Sequence, residues 1–293
     1  MKILVTGASG FTGAPFVRTA AAAGHHVVPL QSDLLDREGI AREVLAAEPD
    51  AVVHLAAISF VGHATPDAFY AVNVVGTTNL LDAVANLPRV PQRVLIASSA
   101  NIYGNSAHSP LTEDHAPAPV NHYAASKLAM EHMARTYDHR LHLVIARPFN
   151  YTGPGQNVSF VVPKLAWHFA TRAPRIELGN LDVEREFNDV QMVCDAYLHL
   201  LNYGESGATY NICSGQPYTL KHLIETLSRL TGHRPGIDVN PAFVRANEVH
   251  RLCGSPQRLN ALLAKHGAKL SVPPLEDTLQ RILRSYGQQE DTA

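Results

Sequence analysis

Three side chains stand out by type and spacing. Tyr123 and Lys127 are four residues apart in Tyr-Ala-Ala-Ser-Lys, which puts both on one face of a helix. An ammonium beside a phenol favours the phenolate and lowers the tyrosine pKa from about 10. Such a tyrosine can take or deliver a proton at neutral pH while a hydride moves. Ser99 lies in Ser98-Ser99-Ala100-Asn101-Ile102-Tyr103-Gly104, just after the apolar run Val94 to Ala97. A serine at a strand end can hydrogen-bond a substrate oxygen as charge develops on it. Near the start of the chain comes Gly7-Ala8-Ser9-Gly10-Phe11-Thr12-Gly13. Glycines permit a tight turn and let backbone N–H groups approach a phosphate, and a following helix N-terminus adds positive dipole.

Taken singly, these signals are weak. A glycine-rich turn and an exposed tyrosine–lysine pair both occur without function. Their order gives them weight, because glycine loop, strand-end serine and Tyr-x-x-x-Lys follow one another in one chain, and the loop sits between a strand and a helix as dinucleotide binding requires.

The elements that must position them follow a regular plan. Strands are expected at Lys2 to Thr6, Val27 to Leu30, Ala51 to Leu55, Val94 to Ala97 and Leu143 to Ala146. Helices are expected at Phe11 to Gly24, from an Asp36 cap to Ala47, along Ala68 to Asn86 and at Asn121 to Asp138. Alternating helices with continuous apolar strands imply a parallel sheet covered on both faces, an α/β doubly wound Rossmann arrangement. Residues 1–150 read as the cofactor-binding domain. Residues 151–293 read as a mainly substrate-binding α/β region, parts of which return to the sheet. Its helical patterns run near Phe160 to Arg172, Val190 to Tyr203, Leu220 to Thr231 and Leu275 to Tyr286, with strands at Arg175 to Leu178 and Thr209 to Cys213.

Composition narrows the function classes. The 293 residues are 46% hydrophobic and 17% charged with a net charge of -2, enough to bury a substantial core. That charge argues against a nucleic-acid reader. No uncharged apolar run approaches the ~20 residues of a membrane span, and the N-terminus does not read as a signal peptide. Cys194, Cys213 and Cys253 are odd in number and far apart, which fits a reduced, cytoplasmic chain. The 16 histidines form no metal-binding spacing, so no metal site is expected.

With these motifs in place, the chain resembles the extended short-chain dehydrogenase/reductases, the family of nucleotide-sugar epimerases, dehydratases and reductases. The resemblance includes His54-Leu55-Ala56-Ala57, Asn73-Val74-Val75-Gly76-Thr77, Arg147-Pro148-Phe149-Asn150 and Gly153-Pro154-Gly155-Gln156. It implies that Ser99, Tyr123 and Lys127 are the catalytic trio, with Lys127 also on the nicotinamide ribose. It implies a cofactor site of Gly7, Gly10, Phe11, Thr12, Gly13, Asp33, Leu34, Leu55, Ala56, Ala57, Asn73, Arg147 and Phe149. The end of strand two offers Gln31 and Ser32, neither the acid that favours NAD nor the arginine that favours NADP. The choice between NAD and NADP stays open.

Gly179-Asn180-Leu181-Asp182 with Arg185, and Asn240-Pro241 with Arg245 and Glu248, are similar to the nucleotide-gripping segments of GDP-mannose dehydratases and GDP-4-keto-6-deoxy-mannose reductases. Arginine forks suit a diphosphate. Ser99, Asn101, Asn150, Asn180, Arg185, Arg245 and Glu248 are the implied substrate contacts. The family's dehydratases carry a carboxylate just after the strand-end serine or threonine; Ala100 and Asn101 stand there and carry no proton. The cysteines all lie beyond the Tyr-x-x-x-Lys helix, unlike those of the 3,5-epimerase/reductases. The resemblance therefore points to NAD(P)H-dependent reduction of the C4 ketone of GDP-4-keto-6-deoxy-D-mannose to GDP-D-rhamnose, with a redox-neutral 4-epimerase holding NAD as the alternative. It implies a homodimer through the helices carrying Asn73 and Tyr123. Asn121-His122 replaces the usual serine–proline pair before the tyrosine, and the usual Gly-Trp near the C-terminus is absent.

Overall fold

The structure, a computed structural model, describes residues 1–59, 65–243 and 249–290. Strands β1 (Lys2–Thr6), β2 (His26–Pro29), β3 (Ala51–His54), β4 (Arg93–Ala97) and β5 (Leu143–Pro148) form a parallel sheet with a later strand, β10 (Thr209–Ile212). The spatial order is β10-β5-β4-β3-β1-β2. The chain starts in the middle, moves outward to β2 and then returns to the other side of β1. The β1/β3 pair is therefore the point where strand order reverses, and ligands of doubly wound sheets bind at the carboxyl ends there.

Buried strands need apolar side chains on both faces, and β1 shows how they divide. Ile3 and Val5 point into a core with helices α1 (Gly13–Ala22), α7 (Val190–Tyr203) and α9 (Gln257–Lys265). Leu4 points the opposite way into a core with α2 (Arg37–Ala47), α4 (Thr77–Ala85) and α5 (His122–Arg135). This is the alternation of a strand covered on both faces. Both β10 and α7 come from the second half of the chain, so that half completes the sheet and its covering layer.

The remainder forms a smaller layer. Helices α6 (Val161–Ala170), α8 (Leu220–Thr231) and α10 (Leu275–Glu290) share a third core with β7 (Arg175–Leu178), which pairs in parallel with β12 (Gly236–Val239). Two-residue strands stitch this layer to the sheet. They are β6 (Tyr151–Thr152) with β9 (Asn188–Asp189), and β8 (Glu184–Arg185) between β11 (Tyr218–Thr219) and β13 (Arg251–Leu252).

One expected element differs. The helix read along Ala68 to Asn86 is α3 (Pro66–Tyr70), a π-helical turn over Ala71–Gly76, and α4. The wider turn seats the Asn73 side chain inside the protein. There its oxygen accepts from Ile58 N (3.0 Å), and its amide donates to Ile58 O (3.2 Å) and Ser126 Oγ (3.0 Å). A π-turn is rare, occurs mostly as a single turn inside an α-helix, and is frequent at functional sites. Among the described residues no helix is long and apolar enough to cross a membrane.

Candidate active site

Gly7 ends β1 with φ +68, and a Cβ there would lie 2.8 Å from Ala56 N. Its carbonyl accepts from Gly10 N at 3.0 Å. A Cβ on Gly13 would collide with that same carbonyl and sit 2.7 Å from the Ala8 backbone. The first turn of α1 has no acidic residue, and Thr12 makes no side-chain cap. Ala14 N donates to Gly10 O at 3.0 Å and Pro15 has no N–H, so the helix dipole and the amides ahead of Ala14 are what this end offers an anion, and the close-packed glycine cradle fits a dinucleotide pyrophosphate. We expect Gly13→Ala to abolish measurable NAD(P)H binding, read by quenching of reduced-nicotinamide fluorescence. Unchanged binding would contradict the placement of the cofactor.

The loop is braced by the second half of the chain. Phe11 stacks on Tyr151 (5.8 Å, 12°), whose hydroxyl pairs with Thr12 Oγ at 2.7 Å. The Cys194 thiol reaches Thr12 O at 3.7 Å.

A buried hydrogen-bonded chain links this loop to α5, the helix carrying Tyr123 and Lys127. Thr6 Oγ accepts from Leu55 N (3.2 Å) and Ala56 N (3.1 Å) and therefore donates its proton to His54 Nδ1 (2.7 Å). Thr77 Oγ donates to Asn73 O (2.7 Å) and therefore accepts from His54 Nε2 (2.8 Å). These partners assign the neutral, Nε2-protonated tautomer. Asn73 continues to Ser126, whose hydroxyl donates to Tyr123 O at 2.8 Å. Thr6, His54, Asn73, Thr77 and Ser126 are at most 1% exposed.

Burial, helped by the Lys127 charge, lowers the His54 pKa to about 3. The folded value lies below the ordinary 6.5, so the unfolded chain binds the extra proton first. His54 then contributes stability that is present above pH 6.5 and lost as pH falls toward 3. Thermal denaturation from pH 6.5 to 4 should show an acid limb on the order of 3 kcal/mol, and His54→Gln should flatten it. An equally steep limb in the variant would refute this assignment.

The trio assembles at the carboxyl edge of β4. Ser99 Oγ accepts from Asn101 N (3.2 Å) and Asn101 Nδ2 (3.1 Å). Asn121 caps α5 by accepting from Ala124 N at 2.9 Å, which sets the first turn carrying Tyr123. Phe69 packs edge-on against the Tyr123 ring at 6.2 Å. The Lys127 ammonium donates to Ala97 O at 2.8 Å. Burial draws its pKa down to about 8, with Glu131 acting against that.

The phenol departs from expectation. Burial pushes the Tyr123 pKa up, with a hydrogen-bonding contact from Ser99 opposing. The lowering expected from Lys127 does not set the direction, because desolvation of the buried phenolate dominates.

Arg147 and Phe149 lie deeper. Arg147 binds Glu131 bidentately (2.9 and 2.7 Å) and donates to Tyr103 Oη (2.9 Å) and Glu113 O (3.2 Å). Tyr103 Oη donates a hydrogen bond to Asn211 Oδ1 (2.8 Å), and its ring stacks on Phe149 (6.1 Å). This network braces α5 behind Lys127. Sequence reading does not single out Glu131 or Glu113, nor the pairing of Tyr103 with Arg147 and Asn211, although Glu131 stands one helical turn past Lys127 and a buried acid there demands a partner.

The remaining expected contacts lie on several separate elements. Leu55, Ala56 and Ala57 line the end of β3. Leu34 is buried, and exposed Asp33 accepts from Leu35 N at 2.8 Å. The Asn150 carbonyl accepts from Asn188 N at 2.9 Å. Asn180 Oδ1 accepts from Asp182 N at 3.0 Å, and Arg185 donates to Glu184 O and Val249 O. Arg245 and Glu248 lie outside the described residues. Among the described residues no group of three or more metal-ligating side chains is assembled.

A model of the NAD-dependent epimerase/dehydratase family matches residues 3–213. The chain belongs to this family. As a member it is an NAD(P)-dependent oxidoreductase on a Rossmann fold. Over 265 residues, 88% of this chain and 90% of the relative, it is 37% identical to GDP-6-deoxy-D-talose 4-dehydrogenase of Aggregatibacter actinomycetemcomitans. It is 38% identical over 275 residues to GDP-6-deoxy-D-mannose reductase of Pseudomonas aeruginosa, covering 88% of this chain and 90% of that protein. The solved structure of RMD from Pseudomonas aeruginosa complexed with NADPH superimposes with TM-score 0.90 at 35% identity, covering 98% of this chain and 99% of the other. The Thermus thermophilus UDP-glucose 4-epimerase complex with NAD gives 0.87 at 25% identity, over 98% and 99% of the two chains.

Proposed function

We propose that this protein reduces the C4 ketone of a GDP-4-keto-6-deoxy-sugar with NAD(P)H, converting GDP-4-keto-6-deoxy-D-mannose to GDP-D-rhamnose. The observation that carries the reading is the buried Tyr123 hydroxyl within hydrogen-bonding reach of Ser99 at the end of β4, with no proton-carrying side chain at Ala100 or Asn101. The nicotinamide, when bound, supplies the hydride. Ser99 holds the carbonyl oxygen and favours the charge that develops on it. Tyr123 Oη delivers its proton to that oxygen, a favourable step because an alkoxide is a far stronger base than a phenolate. Lys127, one turn away, supplies the positive charge that balances the phenolate left behind.

Competing chemistries lack their groups. Dehydration needs an acid and a base beside the sugar, and Asn101 supplies neither. Burial pushes the thiol of Cys194 up to about 12 and those of Cys213 and Cys253 upward, so none is suited to shuttle protons. A 4-epimerase, favoured by the likeness to UDP-glucose 4-epimerases, would use the same Ser99, Tyr123 and Lys127 and differs in leaving the cofactor with no net oxidation.

The GDP-sugar assignment draws on the two relatives and on the segments of Asn180, Arg185, Arg245 and Glu248. GDP-D-rhamnose and GDP-6-deoxy-D-talose differ only in C4 configuration, so NMR of the product separates the two. The proposal includes a homodimer through the helices carrying Asn73 and Tyr123, and a reducing cytoplasmic setting.

The test is to mix the enzyme and NADH or NADPH with GDP-, UDP- and dTDP-linked 4-keto-6-deoxy sugars and follow nicotinamide absorbance. Consumption with the GDP sugar is expected. Consumption with none of them overturns the proposal.

A further inference from the structure

The segment after β2 carries a feature that the glycine-loop reading does not use. Strand β2 pairs in parallel with β1 and ends at Pro29, so residues 30–33 leave the sheet beside the pyrophosphate cradle. In this fold that edge faces the adenosine ribose, whose 2′ position is a hydroxyl in NAD and a phosphate in NADP. Two backbone N–H groups of this segment, Gln31 N and Ser32 N, lie past the last ladder bond of the sheet, Leu30 N to Val5 O. Such a pair is a natural seat for a phosphate.

Here the seat is taken. Glu43, on α2, accepts from Gln31 N at 2.7 Å, from Ser32 N at 2.8 Å and from Ser32 Oγ at 2.6 Å. The geometry is tight, because Ser32 folds onto Gly39, where a Cβ would approach its hydroxyl to 2.6 Å. Asp36 also accepts from Gly39 N at 2.9 Å. Burial acts against the Glu43 charge, but the bonds from Ser32 and Gln31 and the nearby Arg42 hold its carboxyl below the usual range. It is therefore an anion at neutral pH. The cations of this segment have carboxylates of their own, since Arg37 pairs with Asp82 at 3.1 Å and Arg42 with Glu38 at 3.8 Å.

We propose that Glu43 is a cofactor-selecting residue that makes this enzyme prefer NAD(H) to NADP(H). Its carboxylate holds the amides a 2′-phosphate would use and opposes the phosphate charge at the same place. A carboxylate has roughly four acceptor positions. Three donors occupy it, leaving one for a ribose hydroxyl. An acid on the neighbouring helix thus does the work usually assigned to an acid at the strand end. The inference rests on the nicotinamide-dependent family reading and is independent of which sugar is reduced.

The experiment is equilibrium binding of NADH and NADPH to the full-length protein without sugar, read by reduced-nicotinamide fluorescence. Wild type should bind NADH at least tenfold more tightly than NADPH. In Glu43→Ala, which frees both amides, NADPH should tighten and the ratio should narrow about tenfold. Glu43→Gln should shift it the same way to a lesser extent, since its amide keeps an acceptor but loses the charge. Equal binding of the two cofactors by wild type, or an unchanged ratio in both variants, overturns the proposal. Because no sugar is present, failure of the proposed reduction leaves this result readable.

Discussion

Tyr123→Phe should lower kcat by roughly 100- to 10,000-fold, the usual contribution of a positioned general acid, while the dissociation constant for the reduced nicotinamide changes by less than about threefold. The ring survives the substitution, so the edge-on contact with Phe69 at 6.2 Å and the Ser126 bond to the Tyr123 carbonyl at 2.8 Å remain. Only the proton is removed. Steady-state kinetics with a 4-keto nucleotide sugar, beside a fluorescence titration of the cofactor, separates the two quantities. A variant retaining more than a tenth of wild-type kcat would remove Tyr123 from the chemistry. A variant that loses cofactor binding as well would assign it a binding role.

The second large effect is on stability. Arg147 and Glu131 form an ion pair at 2.7 Å with both side chains almost wholly buried. Breaking such a pair from one side leaves an uncompensated buried charge, at about 3–5 kcal/mol. Arg147→Ala should therefore lower Tm by roughly 6–15 °C. Glu131→Ala should do the same, and it also removes the carboxylate that sustains the Lys127 charge, so its activity should fall at a lower pH than that of wild type. The double variant Arg147→Met, Glu131→Leu should recover much of the Tm, because a buried pair replaced by apolar groups is often near neutral. Single-variant losses of less than about 1 kcal/mol, measured by denaturant unfolding, would show that the pair is not the brace of α5.

What the sequence made legible follows a physical pattern. Glycine loop, Ser99, Tyr123 and Lys127 could be read because their chemistry fixes residue type and spacing within one continuous element. The parallel sheet could be read because strands covered on both faces need continuous apolar runs, as Ala51 to Val53 of β3 and Leu143 to Ala146 of β5 are. The π-turn at Ala71–Gly76 could not, since one wider turn leaves the apolar periodicity of the flanking helix almost intact. Helix α9 was overlooked because it is short, with Leu259, Leu262 and Leu263 as its buried residues.

Networks were the least visible part. Arg147 reaches Glu131, Tyr103 and Glu113 across separations of 16 to 44 residues, and nothing local in the chain announces them. The tyrosine pKa shows the same limit. Spacing predicted a phenol lowered by its lysine, whereas burial, which only the folded protein reveals, raises it.

The most direct test of the central claim follows the hydride. With reduced nicotinamide deuterated at the transferring position and GDP-4-keto-6-deoxy-D-mannose as substrate, the account predicts one cofactor oxidised per product and deuterium found only at C4 of the sugar. Sugar interconversion without net cofactor oxidation, or uptake of solvent hydrogen at C3 or C5, would contradict it.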